Sequence, residues 1–461
     1  MMFYFLFALI LIYTIFTLWF AVSAYFEMEP KAGTRGLIAT AGMVVFLVFY
    51  ALAQAYGLLD GMLMKTLQGM VAALMVLLTI SMFLPIGRRP AALKGTDGMR
   101  AEASERFNQK DTAFNIAHVG GYGPDVSKKR WALQSRDPFD GIYWTLVMGL
   151  RPHADGKVNP QKKAGLTPEA MTTEVKRTAR YCGADIVGIT ALKPDFCYSE
   201  TFSYEESNLG TGPAVTTPVD LKHKYAIVVG KEMNFLRIQN TLTPQNDESL
   251  GEIGKTYYEL AQIACALAAH IRRLGYSAKA HHVRNEQVLH VPLAVDAGIG
   301  EQGRHNYVIT EKYGPRVRMA TVTTDLELIP DKPVDIGVQD FCESCRLCEI
   351  NCPAQALYAE KTVVRGYRKW PQDYNKCFGF WVSGGNTFAC TLCLKVCPWN
   401  KPRTFVHRVS MYGAARSLVV RRVLYYISVI FYGKRIRWKM IPLPDEIEMP
   451  PETQSWGKTS N

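Results

Sequence analysis

Residues 341–353 read FCESCRLCEINCP, and this cysteine-rich stretch decides how the chain is organised. A second group of four cysteines lies between residues 377 and 398. The two groups are spaced as Cys342-x2-Cys345-x2-Cys348-x3-Cys352-Pro353 and as Cys377-x12-Cys390-x2-Cys393-x3-Cys397-Pro398. Zinc sites usually combine two separated pairs of ligands, and thiols in the cytosol stay reduced, so neither zinc nor disulfides explain this spacing.

The spacing predicts two [4Fe-4S] clusters in a ferredoxin-like domain over residues 336–405. Three thiolates at x2 intervals wrap one face of a cubane, and the fourth, followed by a proline, ligates the other cluster. The expected ligands of the first cluster are Cys342, Cys345, Cys348 and Cys397. Those of the second are Cys352, Cys377, Cys390 and Cys393. The other three cysteines, Cys182, Cys197 and Cys265, are expected to be small buried residues.

The beginning of the chain has the composition of membrane-spanning helices. Residues 1–87 contain only six charged side chains, which separate apolar runs at 1–26, 36–59 and 66–86. About 20 apolar residues cross the hydrocarbon core, so each run is long enough. We therefore expect a three-helix transmembrane segment over residues 1–90 and a multi-pass location in the cell inner membrane.

Basic residues set the expected orientation of this segment. Lys31 and Arg35 lie between the first two runs, and Arg88 and Arg89 follow the third. Because positively charged loops stay on the cytoplasmic side, everything after residue 88 is expected on the cytoplasmic face.

The middle of the chain indicates an α+β domain. Residues 91–165 are polar and are interpreted as a linker or N-terminal extension. From residue 166 to 335, helix and strand signals alternate, with buried strands expected at 183–190 and 225–230. A helix over 252–274 is expected to end at Gly275, because its apolar residues follow the helical period up to that glycine.

An electron relay attached to a domain of this size suggests a redox centre within the domain. Gly298, Gly300 and Gly303 have the spacing of a dinucleotide-binding loop. Residues 304–310, however, indicate a strand where that loop requires a helix, so a dinucleotide site is not expected.

Motifs in residues 166–400, taken in order, resemble the catalytic subunit of reductive dehalogenases, a corrinoid and iron–sulfur family. The x12 gap after Cys377 matches as well. The resemblance implies an α/β-like core that holds base-off cobalamin beside the clusters, and an enzyme that replaces a carbon-bound halogen of a small organohalide by hydrogen. The segments that carry it are 257–260, 271–276, 292–294, 297–304, 313–318, 324–326 and 331–333.

The resemblance also implies roles for particular residues. Tyr257 would be the proton donor, Arg318 its cationic neighbour and Asn285 a polar group at the halide or substrate. Tyr258 and Arg316 compete with the first two, and Asn285 could equally be a turn residue. Side chains expected to shape the pocket are Tyr374, Trp370 and Trp381. Contacts to the corrinoid would come from Ala297, Gly298, Gly300, Gly303 and Arg304. Histidines expected to face solvent or to bond locally, without binding metal, are His281, His282, His290 and His305.

Members of this family typically carry a twin-arginine export signal and dock on a separate three-span anchor, whereas this chain has its own apolar segment. The expected electron donor is a quinol-linked membrane partner or a ferredoxin or flavodoxin. Two other functions stay open: an enzyme like epoxyqueuosine reductase, and a membrane iron–sulfur electron-transfer subunit without corrinoid.

The net charge of +12, from 53 Lys and Arg against 41 Asp and Glu, is concentrated near the end of the chain. Residues 401–440 contain ten Lys or Arg and no acidic residue. We expect the basic segment 406–461 to contact membrane lipid; a solvated face is the alternative, and no nucleic-acid partner is expected. Arg416, Arg421 and Arg422 do not share one helical face, so no clean amphipathic helix is expected.

Overall fold

The computed structural model describes residues 2–27, 29–81, 94–118, 121–122, 140–163, 167–203, 215–241, 249–382 and 390–436. The chain is divided into two compact units. The first comprises Met1–Pro90 and Lys401–Ile436, and the second comprises Ala91–Asn400 and Arg437–Asn461. Arg88 and Arg89, on which the expected orientation depends, lie outside the described residues, as does the tail beyond residue 436.

The first unit begins with helices α1 (Met2–Phe26), α2 (Pro30–Ala55) and α3 (Met62–Ser81). Three helices, α1, α2 and residues Met62–Ile80 of α3, are long and apolar enough to cross a membrane. Helix α2 begins six residues before the predicted run, because Pro30 has the fixed φ that suits the first turn of a helix. Helices α1 and α2 approach closely, since a Cβ on Gly36 would lie 2.7 Å from the Cβ of Ala21.

The second unit is an α+β domain, which confirms the predicted fold class. Its strands are β1 (Ile186–Ala191), β2 (Glu200–Ser203), β3 (Val215–Pro218), β4 (Tyr225–Glu232), β5 (Ala278–His281), β6 (Glu301–Gln302), β7 (Val308–Ile309), β8 (Val317–Thr324), β9 (Thr362–Val364) and β10 (Tyr367–Lys369). Its helices are α4 (Ala113–His118), α5 (Asp140–Leu150), α6 (Pro168–Tyr181), α7 (Phe235–Gln239), α8 (Ser249–Arg273), α9 (His290–Asp296), α10 (Val338–Cys345), α11 (Leu347–Ile350), α12 (Tyr374–Val382) and α13 (Leu392–Lys395). Helices α4 and α5 lie in the segment interpreted as a linker.

The core of this unit is one antiparallel sheet in the order β1-β4-β8-β5. Helix α8 packs on the sheet through Leu260, Leu267 and Ile271, all fully buried in the core. The helix begins three residues before the predicted start and ends at Arg273, one residue before the predicted end; Gly275 follows it, with a φ of +90° that only glycine adopts readily. All three strand pairs of this sheet are antiparallel, whereas a dinucleotide loop lies in a parallel βαβ unit.

The chain then returns to the first unit as α14 (Phe405–Arg416) and α15 (Leu418–Tyr432). Ser417 separates the two helices: its backbone is extended, and its side chain accepts a hydrogen bond from the Val420 N–H at the start of α15. Arg416 therefore lies on α14, whereas Arg421 and Arg422 lie on α15, and the three arginines do not share one helical face, as expected.

Candidate functional site

Four cysteines from three places in the chain line one cavity. Cys342 and Cys345 lie on α10, Cys348 lies on α11, and Cys397 follows α13. Arg346 between the two helices has a φ of +50°, and this left-handed residue turns the chain so that the three nearby cysteines face the same cavity. These are the four thiols that the spacing assigns to the first cluster.

The other four thiols also lie together. Cys390 and Cys393 both lie close to Cys377 and Cys352. A negative charge on Cys377 or Cys352 would therefore raise the pKa values of Cys390 and Cys393. Burial, aided by Cys352, raises the pKa of Cys377 to about 12. The structure thus brings together the set that the spacing assigns to the second cluster.

The donor chemistry of both groups suits iron–sulfur clusters. Burial raises the pKa of Cys342 to about 11, and it also raises the pKa values of Cys345, Cys348 and Cys397. Buried thiols become thiolates only next to a strong positive charge, which iron supplies. Among the described residues, no three Cys, His, Asp or Glu side chains converge on the position of a single metal ion. The assignment to clusters therefore rests on the cavity and the spacing.

Two buried residues fix the helix that carries Cys342 and Cys345. The Glu301 carboxylate accepts hydrogen bonds from the backbone N–H groups of Ile336 and Val338, at 2.7 and 3.1 Å, at the start of α10. Arg304 is 1% exposed, and its guanidinium donates to the carbonyl oxygen of Cys342 at 2.5 Å, and to that of Tyr358 at 2.9 Å. The structure thus places the Arg304 side chain on the cluster-binding loop.

Tyr257 and Arg318 lie side by side. The Arg318 guanidinium carbon is 5.5 Å from the centre of the Tyr257 ring and 5.3 Å from that of Tyr307. Burial disfavours the Arg318 cation, but the two phenols raise its pKa above the usual value. Tyr257 and Tyr307 pack against the same small hydrophobic core as Cys393, so this aromatic and cationic group borders the second set of thiols.

The two competing residues have other partners. Arg316 is fully buried and donates to Glu232 Oε1 at 2.7 Å and to Asn400 Oδ1 at 2.8 Å, which ties β4 and β8 to the cysteine-rich region. Tyr258 packs against Tyr143, and its hydroxyl accepts a hydrogen bond from Gln262. Neither residue borders the thiols in the way that Tyr257 and Arg318 do.

Asn285 lies in a tight turn after β5. Its backbone N–H donates to the carbonyl of His282, and its side-chain amide donates to the carbonyl of Ala280 at 3.1 Å. Arg284, with a φ of +70°, lies over the ring of Trp144 at 5.6 Å, and Trp144 is 5.9 Å from the Tyr257 ring. The Asn285 turn therefore reaches Tyr257 through an arginine and a tryptophan.

The small residues matched to cofactor contacts make close contacts within the protein itself. A Cβ on Gly298 would lie 2.4 Å from the Lys332 carbonyl oxygen, and one on Gly300 would lie 2.2 Å from that of Ile309. A Cβ on Gly188 would come similarly close to the carbonyl oxygen of Ala297, and Gly303 packs against the side chain of Ile309. Backbone crowding thus accounts for the glycines in this segment.

Of the four histidines, His281, His282 and His305 are buried and His290 is half-buried. His281 is fully buried; its Nε2 is hydrogen-bonded to Thr323 Oγ1 at 2.8 Å, and burial holds its pKa well below the usual value. Burial lowers the pKa values of His290 and His305 to about 4. The Nε2 atoms of His282, His290 and His305 are buried without a hydrogen-bond partner among the described residues.

Three residues near this group were missed by sequence reasoning. Trp144 comes from the segment interpreted as a linker, and Tyr307 lies in a stretch that carries no motif. Glu286, next to Asn285, has a pKa that burial raises to about 7. No local pattern marks any of the three, because only the fold brings them near Tyr257 or Asn285.

Comparison with known proteins agrees with this arrangement. A family model described as a 4Fe-4S dicluster domain matches residues 341–401. A tetrachloroethene reductive dehalogenase of Desulfitobacterium hafniense is 35% identical over 283 residues, which covers 52% of this chain and 50% of that protein. An epoxyqueuosine reductase of Cellulophaga algicola is 32% identical over 130 residues, or 26% of this chain and 39% of that protein.

A solved structure is also similar. The catabolic reductive dehalogenase NpRdhA matches with a TM-score of 0.66 and 26% identity, covering 78% of this chain and 53% of that chain. The chain spans about half the length of the reductive dehalogenases that it matches. The chain is therefore similar to reductive dehalogenases over about half of their length, and its residues 341–401 match a 4Fe-4S dicluster domain.

Proposed function

We propose that this protein is a membrane-anchored, corrinoid-dependent reductive dehalogenase. The reaction is R–X + 2e⁻ + H⁺ → R–H + X⁻, with electrons relayed through two [4Fe-4S] clusters to a small organohalide. The observation that carries the proposal is the position of the Tyr257 and Arg318 pair beside Cys393 of the second thiol group. Relatives named for tetrachloroethene, and a structure of NpRdhA with 3-bromo-4-hydroxybenzoic acid, support a halogenated substrate.

The corrinoid belongs in the domain over residues 166–335, held base-off. Buried polar atoms without a partner among the described residues, namely Arg318 Nε, His282 Nε2 and His290 Nε2, fit a large cofactor that is rich in amide groups. A solved relative described for B12-dependent dehalogenation supports the same cofactor. When bound, the corrinoid supplies a strongly reducing cobalt ion. Backbone contacts from residues 297–304 complete this proposed site.

The side chains handle the proton and exclude water. Tyr257 donates the proton from Oη to the carbon that loses the halide, and the Arg318 guanidinium stabilises the phenolate left behind. Trp144, whose ring centre is 5.9 Å from that of Tyr257, and Tyr307, which packs on the same hydrophobic core, would limit the access of water to the phenol. The Asn285 turn positions the substrate or the departing halide.

The membrane anchor is α1 to α3, in the inner membrane, with the second unit on the cytoplasmic face. The three apolar helices and the charge of the first loop support this arrangement. Electrons come from a quinol-linked membrane partner or from a ferredoxin or flavodoxin.

The test is an anaerobic assay of the full chain with both cofactors reconstituted. We expect chloride or bromide release from members of a set of aryl and alkyl halides, together with the absorption spectrum of a base-off corrinoid. Clusters without corrinoid and without halide release would instead indicate an electron-transfer subunit. Activity restricted to RNA that bears epoxyqueuosine would indicate the tRNA-modifying alternative.

A further inference from the structure

Helix α15 has an exposed apolar face. Its members are 40 to 64% exposed and recur at intervals of four, three, one and three residues, so they form a stripe about 100° wide on the helix. They are Val419, Val423, Tyr426, Ile427 and Ile430. A soluble protein rarely leaves such a continuous apolar stripe uncovered.

Another side of α15 is held within the first unit. Val420 and Arg421 are buried there. The Arg35 side chain, from α2, donates hydrogen bonds to the carbonyl oxygens of Ile430 at 2.7 Å and Phe431 at 3.2 Å. The ring of Phe20, on α1, meets that of Phe431 at 5.0 Å. Because α15 is fixed on this side, its apolar stripe points away from α1 and α2.

Helix α14 is fixed at the same end of the first unit. His407 Nε2 is 2.8 and 3.1 Å from the two carboxylate oxygens of Glu27, and both residues are buried. Trp19 of α1 stacks on Phe405 with ring centres 5.2 Å apart. Both helices therefore lie at the turn between α1 and α2, where the apolar helices end.

Length and charge indicate what covers the stripe. Helix α15 has 15 residues, or about 22 Å, which is too short to cross the hydrocarbon core of about 30 Å. Arg422 lies beside the stripe, and Lys434 and Arg435 follow the helix, within a region that has ten basic residues and no acidic one. An apolar stripe flanked by basic residues is typical of helices that lie in the surface of an anionic membrane.

We propose that α15 is an interfacial helix whose apolar stripe enters the bilayer at the level of the turn between α1 and α2, with its basic residues at anionic phospholipid headgroups. This inference rests on the proposed membrane anchoring. It adds a second membrane contact, on the same side of the bilayer as the turn.

The test uses the full chain in vesicles of phosphatidylcholine and phosphatidylglycerol. A photoreactive benzoylphenylalanine replaces Ile427, and a matched control replaces Ile329, an isoleucine of the second unit that is 43% exposed against 40% for Ile427. After irradiation, we expect at least ten times more lipid attached at position 427 than at position 329. A triple variant, R422Q/K434Q/R435Q, should reduce the gain in labelling that phosphatidylglycerol gives over phosphatidylcholine alone.

Equal labelling at the two positions, in a chain that resists extraction by alkaline carbonate, would overturn the interfacial helix and leave the anchor intact. Attachment at position 427 to protein in place of lipid would also overturn it. Release of the whole chain by carbonate would instead refute the proposed anchoring.

Discussion

The guanidinium group of Arg318 lies over the ring of Tyr257, with its central carbon 5.5 Å from the ring centre. Arg318 is on β8 and Tyr257 is on α8, so the sheet and the helix packed on it each contribute one member of the pair. This relationship supports Tyr257 as the proton donor and leads to the first two predictions.

Replacing Tyr257 by Phe removes the only proton that this side chain can donate. We expect the rate of halide release to fall by about 100-fold or more, because a positioned general acid contributes that much. Iron and corrinoid contents should not change, since the ring still fills its place. Tyr258→Phe is the matched control and should keep its activity. An unaltered rate in Tyr257→Phe would remove the proton-donor assignment.

Replacement by Gln should affect mainly stability at Arg316 and mainly the rate of halide release at Arg318. Arg318→Gln should lower the rate while leaving the urea midpoint of unfolding nearly constant. Arg316→Gln should lower the free energy of unfolding by about 3 kcal/mol, because it leaves the Glu232 carboxylate without its buried partner. Parallel assays and urea titrations separate the two effects. Equal losses of stability would mean that Arg318, too, is mainly structural.

The cysteine assignment predicts which cluster each substitution removes. Cys397→Ala should disturb the cluster held mainly by α10 and α11, although residue 397 is far from them in sequence. Cys352→Ala should disturb the other cluster. Because the second thiol group borders Tyr257, the two variants should give different residual signals in electron paramagnetic resonance of the reduced protein. Loss of the same signal in both would contradict the crossed arrangement.

Stability should fall in mild acid because of His281. Its folded pKa is held well below the unfolded value of about 6.5, so the unfolded chain takes up the proton first. The contribution is therefore complete above pH 6.5 and is lost as the pH falls toward the folded pKa, by about 1 kcal/mol between pH 7 and 5.5.

A comparison with His281→Asn isolates this effect, because burial also lowers the pKa values of His223 and His290. Urea unfolding at both pH values should show a shallower pH dependence in the variant. Identical slopes in the two proteins would mean that His281 protonates without penalty in the fold.

Elements that depend only on residues close together in the sequence could be predicted from it. Helix α8 is predicted by apolar residues such as Leu260 and Leu267 at helical intervals, and Gly275 predicts where it stops. The three apolar helices follow from composition alone. The 4Fe-4S dicluster domain follows from cysteine spacing, because consecutive ligands wrap one cluster.

Elements that depend on distant contacts were harder to predict. The exposed apolar face of α15 was not predicted, because only the fold shows that one helix ends at Arg416 and a new one begins after Ser417. The hydrogen bonds of Arg304 were not predicted, because its partners, the carbonyls of Cys342 and Tyr358, lie 38 and 54 residues away. Nor does any sequence period link Trp144 to Tyr257, since α5 meets α8 only after folding.

The bond between Glu27 and His407 joins residues 380 positions apart, with residues 91–400 of the second unit between them. During translation, α1 to α3 leave the ribosome first, and the partner of Glu27 is made only after these residues. The first unit is thus completed only after most of the second unit has been synthesised. A chain that stops before residue 407 would leave the buried Glu27 side chain without its hydrogen-bond partner, so α1 and α2 reach their final packing only when the end of the chain has been made.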